Sequence, residues 1–314
     1  MIVRASVLAL ALLANRAAAA TEVWLAPLSD VTPTGIGSAD YLRLVTDSAS
    51  WADVAPDTAV FKIYPYFTGR SPDAELRGLI RVLRSQKIAL ALEGRVLSRV
   101  HGCDGRRGDG GEATIHLMER IKNAGGTVAY LAMDEPLKHV TTGPKDCRPT
   151  LADAARDVAA NIRSYREVFP DLRVGDIEPI GTWSHTETLL ADNLAWLKAY
   201  RDMAGEPLAF FHADVGWTTD WVGICAELQR DLADQHIPFG MIYNGEDLAG
   251  SAADWASQAR AHFRAFEDGT RPPPDTAVIQ SWVRFPRHAL PDTDANSLTG
   301  VELDYLKFRG LARQ

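Results

Sequence analysis

Apolar runs that end in acidic residues recur along this chain. The run 128–133 is followed directly by Asp134, Glu135 and Pro136. An apolar run of this length, stopped by a turn residue, is typical of a strand buried on both faces. Similar runs with acidic endings occur near 88–93, 173–178, 209–214 and 239–247. The pattern predicts several buried strands whose last residues carry carboxylates.

Segments with helical spacing of apolar residues separate these runs. Strands are predicted at 22–27, 59–66, 88–93, 128–134, 173–179, 208–212, 239–243 and 276–282. Between them lie helical patterns, among them 151–169, 186–203, 219–236, 251–266 and 299–311. Eight strand–helix units in a chain of 314 residues predict an α/β fold, a single (β/α)8 TIM barrel. A doubly wound open sheet is the alternative, but no glycine-rich phosphate loop follows the first strand.

The first twenty residues have the pattern of an export signal. Arg4 precedes an apolar stretch, and Ala18, Ala19 and Ala20 form a small-residue cleavage site. We therefore expect residues 1–20 to be a cleaved signal peptide, residues 21–314 to form the barrel domain, and the protein to be periplasmic or extracellular. No later stretch is long and apolar enough to cross a bilayer. The net charge of −8 disfavours nucleic acid and anionic membranes as partners.

Export makes disulfide bonds possible, and the chain has three cysteines. Cys103 and Cys147 lie in glycine- and proline-rich stretches predicted as the loops after the third and fourth strands. These strands are neighbours in a barrel, so we expect a Cys103–Cys147 disulfide between their loops. Cys225 occupies an apolar position of a predicted helix and is expected to be a buried thiol.

The barrel fold predicts that the acidic strand endings converge. In (β/α)8 enzymes the carboxyl ends of the strands and the loops that follow them build the active site. Alternate residues of a strand face opposite sides, so only part of this set can point into the barrel. The acidic candidates are Glu93, Asp134, Glu135, Asp176, Glu178, Asp214, Glu246 and Asp247.

Three strand-end positions, two acidic and one aromatic, resemble a known family. Asp134-Glu135-Pro136 at the end of the fourth strand resembles the Asn-Glu-Pro of the large retaining clan of (β/α)8 glycoside hydrolases. That resemblance implies that Glu135 is the acid/base, that Glu246 after the seventh strand is the nucleophile, and that Trp282 after the eighth lines a sugar subsite. It implies a secreted hydrolase that cleaves an oligo- or polysaccharide with retention and needs no cofactor.

Acetal cleavage gives an independent reason to look for a carboxylate pair. One carboxyl protonates the leaving oxygen while the other stabilises or attacks the oxocarbenium carbon. Neighbouring charges at Asp134 and Glu178 would raise the pKa of Glu135, and Glu178 and Asp214 are further candidates for the second carboxylate. The expected substrate contacts are Asp134, Tyr64, Trp183, His212, Trp217, Tyr243 and Trp282.

Two other classes of function remain open from the sequence. Glu93, Glu135 and Glu178 end successive strands, the layout of metal ligands in enolase-like lyases and isomerases, with Lys62 as the candidate base. Such barrels carry a capping domain for which this chain has no room. A non-catalytic carbohydrate-binding barrel would need the aromatic residues but not the carboxylate pair.

Overall fold

The computed structural model describes residues 20–30, 32, 36–98, 110–142, 148–181, 188–217 and 220–313. Its eight strands form one closed parallel barrel in the order β1 to β8, with β8 paired to β1. The predicted (β/α)8 fold is therefore confirmed. The strands are β1 Glu22–Pro27, β2 Thr58–Ile63, β3 Ala89–Gly94, β4 Val128–Asp134, β5 Arg173–Gly181, β6 Phe211–Gly216, β7 Phe239–Tyr243 and β8 Thr276–Ser281.

Ten α-helices of the described ranges surround or cap this barrel. They are α1 Arg43–Thr46, α2 Pro65–Arg70, α3 Asp73–Gln86, α4 Glu112–Asn123, α5 Pro136–Thr141, α6 Leu151–Val168, α7 Leu189–Ala204, α8 Trp221–Asp234, α9 Ala252–Phe266 and α10 Leu298–Arg309. The long helices agree with the apolar periodicity of the sequence to within a few residues. None of the helices in the described ranges is long and apolar enough to cross a membrane.

Three short helices, α1, α2 and α5, were not predicted, and two of them, α2 and α5, begin just after strands. The strand expected at 59–66 ends at Ile63, and Pro65 opens α2. Pro136, expected only to stop β4, opens α5. Proline fits the first helical position because its fixed φ suits the helix and its missing N–H needs no acceptor there. Both helices begin where a strand reaches the mouth of the barrel, so each brings extra side chains to that end.

The inside of the barrel is filled mainly by aromatic rings. Trp24 packs against Tyr130, Phe210 and His212, with ring centroids 4.9, 5.1 and 4.9 Å away. Glycine makes room for these rings, since a Cβ on Gly175 would lie 2.4 Å from the Phe210 ring. A larger apolar layer lies between the strands and the helices. These side chains fill the interior of the barrel in the described part of the chain.

Candidate active site

A cavity of about 370 Å³ lies at the carboxyl ends of the strands. We call it the mouth cavity. Four acidic, three basic and three other side chains line it: Glu93, Asp134, Glu135, Asp214, Arg95, Lys138, His139, Ile177, Gln280 and Trp282. The convergence of acidic strand endings expected from the sequence is thus present for four of the candidate residues.

Glu135 lies at the wall of the mouth cavity in a strained backbone conformation. It follows β4 directly and adopts φ 51° and ψ 48°, the left-handed region that residues other than glycine seldom occupy. Its side chain, 16% exposed, forms an ion pair with Lys138, one turn along α5. Burial raises the pKa of Glu135, and the Lys138 ammonium opposes the rise. Strain at such a position is typical of functional sites.

Asp214, on β6, also lines the mouth cavity. Burial raises the pKa of its carboxyl to about 7, and the negative charge of Glu135 adds to the rise. No cation of the described residues forms an ion pair with Asp214, although Lys62 and Lys138 lower its pKa from a greater distance. Asp214 is therefore the lining acid best suited to hold a proton near neutrality.

Glu93 lines the mouth cavity and is paired with the buried Lys62. Lys62 is fully buried, forms an ion pair with Glu93, and donates a hydrogen bond of 2.6 Å to Gln280 Oε1. Burial raises the pKa of Glu93 to about 6 while Lys62 opposes the rise. A buried charge pair is tolerated when hydrogen bonds satisfy both groups, which this arrangement provides for the ammonium.

Two further predicted contacts belong to the cavity wall. Asp134 faces Arg95, whose Nε lies 3.4 Å from Asp134 Oδ2. Trp282 lines the cavity just after β8. An indole ring at this place offers a flat apolar surface beside the carboxylates.

Tyr64 and His212 lie below the cavity and do not line it. Tyr64 is 7% exposed, and its hydroxyl lies 3.5 Å from the carbonyl oxygen of Ala26. His212 is fully buried among the aromatic rings, and burial lowers its pKa well below the usual value. Neither ring nitrogen of His212 has a hydrogen-bond partner within the described part of the chain. Both residues support the floor of the site from inside the barrel.

Glu246 lies outside the mouth cavity. Its side chain is exposed, and its backbone N–H donates to Gln258 Oε1 of α9. β7 ends at Tyr243, and Gly245 then lies against Trp255, where a Cβ would come within 2.5 Å of a backbone oxygen. The chain leaves the barrel toward α9 at this point. Glu246 is therefore not brought together with Glu135.

Glu178 also points away from the cavity. On β5 the intervening Ile177 faces inward and lines the cavity, so Asp176 and Glu178 face the helices. Glu178 accepts hydrogen bonds from the backbone N–H groups of Leu137 and Lys138, and Asp176 accepts one from Trp196 Nε1. The set Glu93, Glu135 and Glu178 does not converge as metal ligands. Within the described ranges, no group of three His, Cys, Asp or Glu side chains is arranged to hold a metal ion.

Two predicted aromatic contacts lie in the layer between barrel and helices. Tyr243 is fully buried and donates a 2.7 Å hydrogen bond to Glu267. Trp217 stacks on His262 with a centroid distance of 3.5 Å and donates to Asn244. Both are packing residues because their polar atoms are bound within the helix layer.

Three predicted residues, Trp183, Cys103 and Cys147, lie outside the described residues, so the disulfide stays a prediction. Cys225 is a buried free thiol, as expected, and burial raises its pKa.

Sequence reasoning missed Lys138, Arg95, His139 and Gln280. Lys138 could have been found, since residues three apart on a helix share a face and Pro136 opens a helix directly after Glu135. Lys62, the candidate base of a lyase, forms an ion pair with Glu93, which the sequence does not predict.

Comparisons with known proteins support the barrel fold. No family model matches the chain, and no curated protein matches it. Among solved structures it resembles an endo-beta1,6-glucanase, with a TM-score of 0.52 and 9% identity over 82% of this chain and 65% of that chain.

A GH10 endoxylanase from a sugarcane soil metagenome matches with a TM-score of 0.47 and 11% identity, over 74% of this chain and 69% of its own. A truncated form of 3-deoxy-D-arabino-heptulosonate 7-phosphate synthase from Thermotoga maritima matches with a TM-score of 0.45 and 8% identity, over 93% of this chain and 83% of its own. These neighbours are enzymes of different classes. At 9% identity the glucanase match supports the fold alone, so function has to be argued from the site.

Proposed function

We propose that this protein is a glycoside hydrolase that cleaves an oligo- or polysaccharide in the mouth cavity. The observation that carries the proposal is the carboxylate pair Glu135 and Asp214. Both line the same cavity, and the charge of one raises the pKa of the other. Unequal pKa values in a carboxyl pair supply the acid and the charged partner that glycosidic cleavage needs.

The surroundings of the two carboxyls favour a division of roles. Lys138 beside Glu135 stabilises its ionised form, whereas Asp214 has no ion pair among the described residues and a pKa of about 7. We assign the proton donor to Asp214 and the charged partner to Glu135. The sequence resemblance instead suggested Glu135 as the acid and Glu246 as the nucleophile.

In the proposed reaction Asp214 gives its proton to the glycosidic oxygen as the C–O bond breaks. The ionised carboxylate of Glu135 stabilises or attacks the positive anomeric carbon, and water completes the hydrolysis. Trp282 supplies a flat surface against which a sugar ring can stack. Asp134 and Arg95, paired at the rim, offer polar groups to sugar hydroxyls.

The test is a screen of chromogenic glycosides and bacterial polysaccharides with the wild-type protein. Activity should fall as pH rises through about 7, where Asp214 loses its proton. Glu135→Gln and Asp214→Asn should each lower turnover, whereas Glu246→Gln, at an exposed position outside the cavity, should not. Glycan binding without turnover would instead indicate a carbohydrate-binding barrel.

We further propose that the chain is exported and that Cys103 and Cys147 form a disulfide. Export supplies the oxidising environment that such a bond requires. N-terminal sequencing of the exported protein should begin at Thr21, and mass mapping without reduction should find the two cysteines linked. Free thiols at both positions would contradict the disulfide.

A further inference from the structure

Glu178 makes contacts that connect β5 to the turn carrying Glu135. Its side chain is buried, and its two oxygens accept hydrogen bonds from the backbone N–H groups of Leu137, at 2.5 Å, and Lys138, at 3.1 Å. The preceding residue of β5, Ile177, accepts a hydrogen bond of 3.0 Å from the N–H of Glu135.

These hydrogen bonds occupy all the backbone N–H groups of the turn 135–138. Pro136 has no N–H, so every backbone N–H from 135 to 138 donates to β5. The first N–H groups of a helix have no partner within the helix and need one elsewhere. The turn also holds Glu135 in its left-handed conformation and places Lys138 against the Glu135 carboxyl. β5 thus fixes the backbone that presents both charged groups to the cavity.

We propose that Glu178 is a positioning residue: by binding the amides of Leu137 and Lys138, its carboxylate keeps Lys138 paired with Glu135 and so keeps Glu135 ionised. Its effect on catalysis rests on the proposed function. Its effect on the charge state of Glu135 does not.

The bonding of Glu178 favours an ionised carboxylate, because each of its oxygens accepts from a backbone N–H and the hydroxyl oxygen of a protonated carboxyl is a poor acceptor. Burial raises the pKa of Glu178 and of its neighbour Asp176, and the two backbone N–H donors oppose the rise at Glu178. Asp176 has one donor, Trp196, and its other oxygen has no partner within the described residues. Of the two, Asp176 is therefore the better place for a proton.

Other charges also face Glu135 and have to be considered in a test. They come from the strand endings around the cavity and from α5: Glu93, Arg95, Asp134, Glu178, Asp214 and Lys138. Substitution at Glu178 leaves the other five side chains unchanged. A rise in the pKa of Glu135 would then report that the turn has moved.

The experiment is a carbon-13 NMR titration of the Glu135 carboxyl in wild type and in Glu178→Gln, which needs no substrate. We expect the pKa of Glu135 to rise by about one pH unit in the variant, because Lys138 is no longer held beside it. Removal of the negative charge of Glu178 would by itself lower that pKa, so a fall would overturn the proposal. Where a glycan substrate is found, kcat should drop about 10- to 100-fold and the acidic limb of the pH profile should move upward.

The matched control is Asp176→Asn, a buried acid two residues earlier on the same side of β5. It should leave the Glu135 titration and kcat unchanged, and an equal effect in both variants would indicate a merely structural role.

If Glu178→Gln does not fold, amide hydrogen exchange in the wild type provides the test. Fast exchange at Leu137 and Lys138 would overturn the proposal, since Glu178 is their acceptor. An unaltered titration contradicts the positioning role, whereas a shifted titration without glycan turnover contradicts only the hydrolase.

Discussion

The mouth of the barrel and the layer between barrel and helices both hold buried acids, but the surroundings of these acids differ between the two regions. In the layer, Asp176, Glu178, Glu267 and Glu302 accept hydrogen bonds from groups of the fold itself. At the mouth, the acids Glu93, Asp134, Glu135 and Asp214 line open space.

The two regions teach that burial and a raised pKa do not by themselves mark a catalytic acid. The pKa of Glu302 rises to about 8 by burial, above that of Asp214, yet Glu302 is fully enclosed beside Thr58. A substrate can reach Asp214 and cannot reach Glu302. Access to a cavity, in addition to the electrostatics, separates candidates for chemistry from residues of the fold.

The largest expected difference is in turnover. Asp214→Asn should lower kcat on a glycan substrate about 10²- to 10⁴-fold, because the amide cannot give a proton to the leaving group. Asp176→Asn should leave kcat near the wild-type value. Steady-state kinetics of the two variants, with circular dichroism to verify folding, make the comparison. Equal losses in both would remove the distinction between the regions.

Glu302→Gln should change the pH dependence of stability. The folded pKa of about 8 lies above the unfolded value near 4.3, so the wild type loses stability as pH rises from the lower to the higher value. The wild type loses about 4–5 kcal/mol over this range. The glutamine variant avoids this loss, but the cost of burying its amide cancels part of the advantage. We expect the variant to be about 2–3 kcal/mol more stable at pH 9 and no more stable than wild type at pH 4.

Urea unfolding at several pH values measures this difference. Glu246→Gln, at an exposed position, serves as the control and should show no such trend. A stability difference that does not grow between pH 5 and pH 8 would contradict the buried, protonated state of Glu302.

Within the layer, the two acids of β5 should differ in their cost of replacement. Glu178→Gln should lower the free energy of unfolding by about 1–3 kcal/mol, since glutamine has one acceptor for two backbone N–H groups. Asp176→Asn should cost less, because an amide resembles the protonated acid and still accepts from Trp196. Urea unfolding near neutral pH tests both, and a larger cost at Asp176 would place the proton on Glu178 instead.

The smallest expected effect concerns sugar binding. Trp282→Ala should raise KM about twofold to tenfold, as expected for the loss of one stacking contact of about 0.5–1.5 kcal/mol. Tyr243→Phe should leave KM unchanged because Tyr243 is fully buried and its hydroxyl donates a hydrogen bond to Glu267. Initial-rate measurements over a range of glycan concentrations compare the two. An unchanged KM in Trp282→Ala would exclude Trp282 from the subsite.

Much of the fold followed from sequence patterns. β1 and β7 begin and end at the predicted residues, and the eightfold alternation predicted the closed barrel. Of the predicted pair, Glu135 lines the cavity and Glu246 does not. Apolar periodicity locates a strand well, but it does not describe the path of a loop such as 244–250, which depends on contacts such as that of Gly245 with Trp255.

The sequence by itself determined the eight strands and placed acids near the ends of several of them, although β2 ends at Ile63 and β6 at Gly216 rather than at the predicted residues 66 and 212. Tertiary structure decided which of these acids face inward. Strands of a parallel barrel are apolar on both faces, so alternation along Asp176, Ile177 and Glu178 does not say which side is inside. Closure of the barrel turned Ile177 to the cavity and Glu178 to the amides of α5. It also brought Asp214 to the same cavity as Glu135, which no local pattern specifies, because that arrangement depends on packing among β4, β5 and β6.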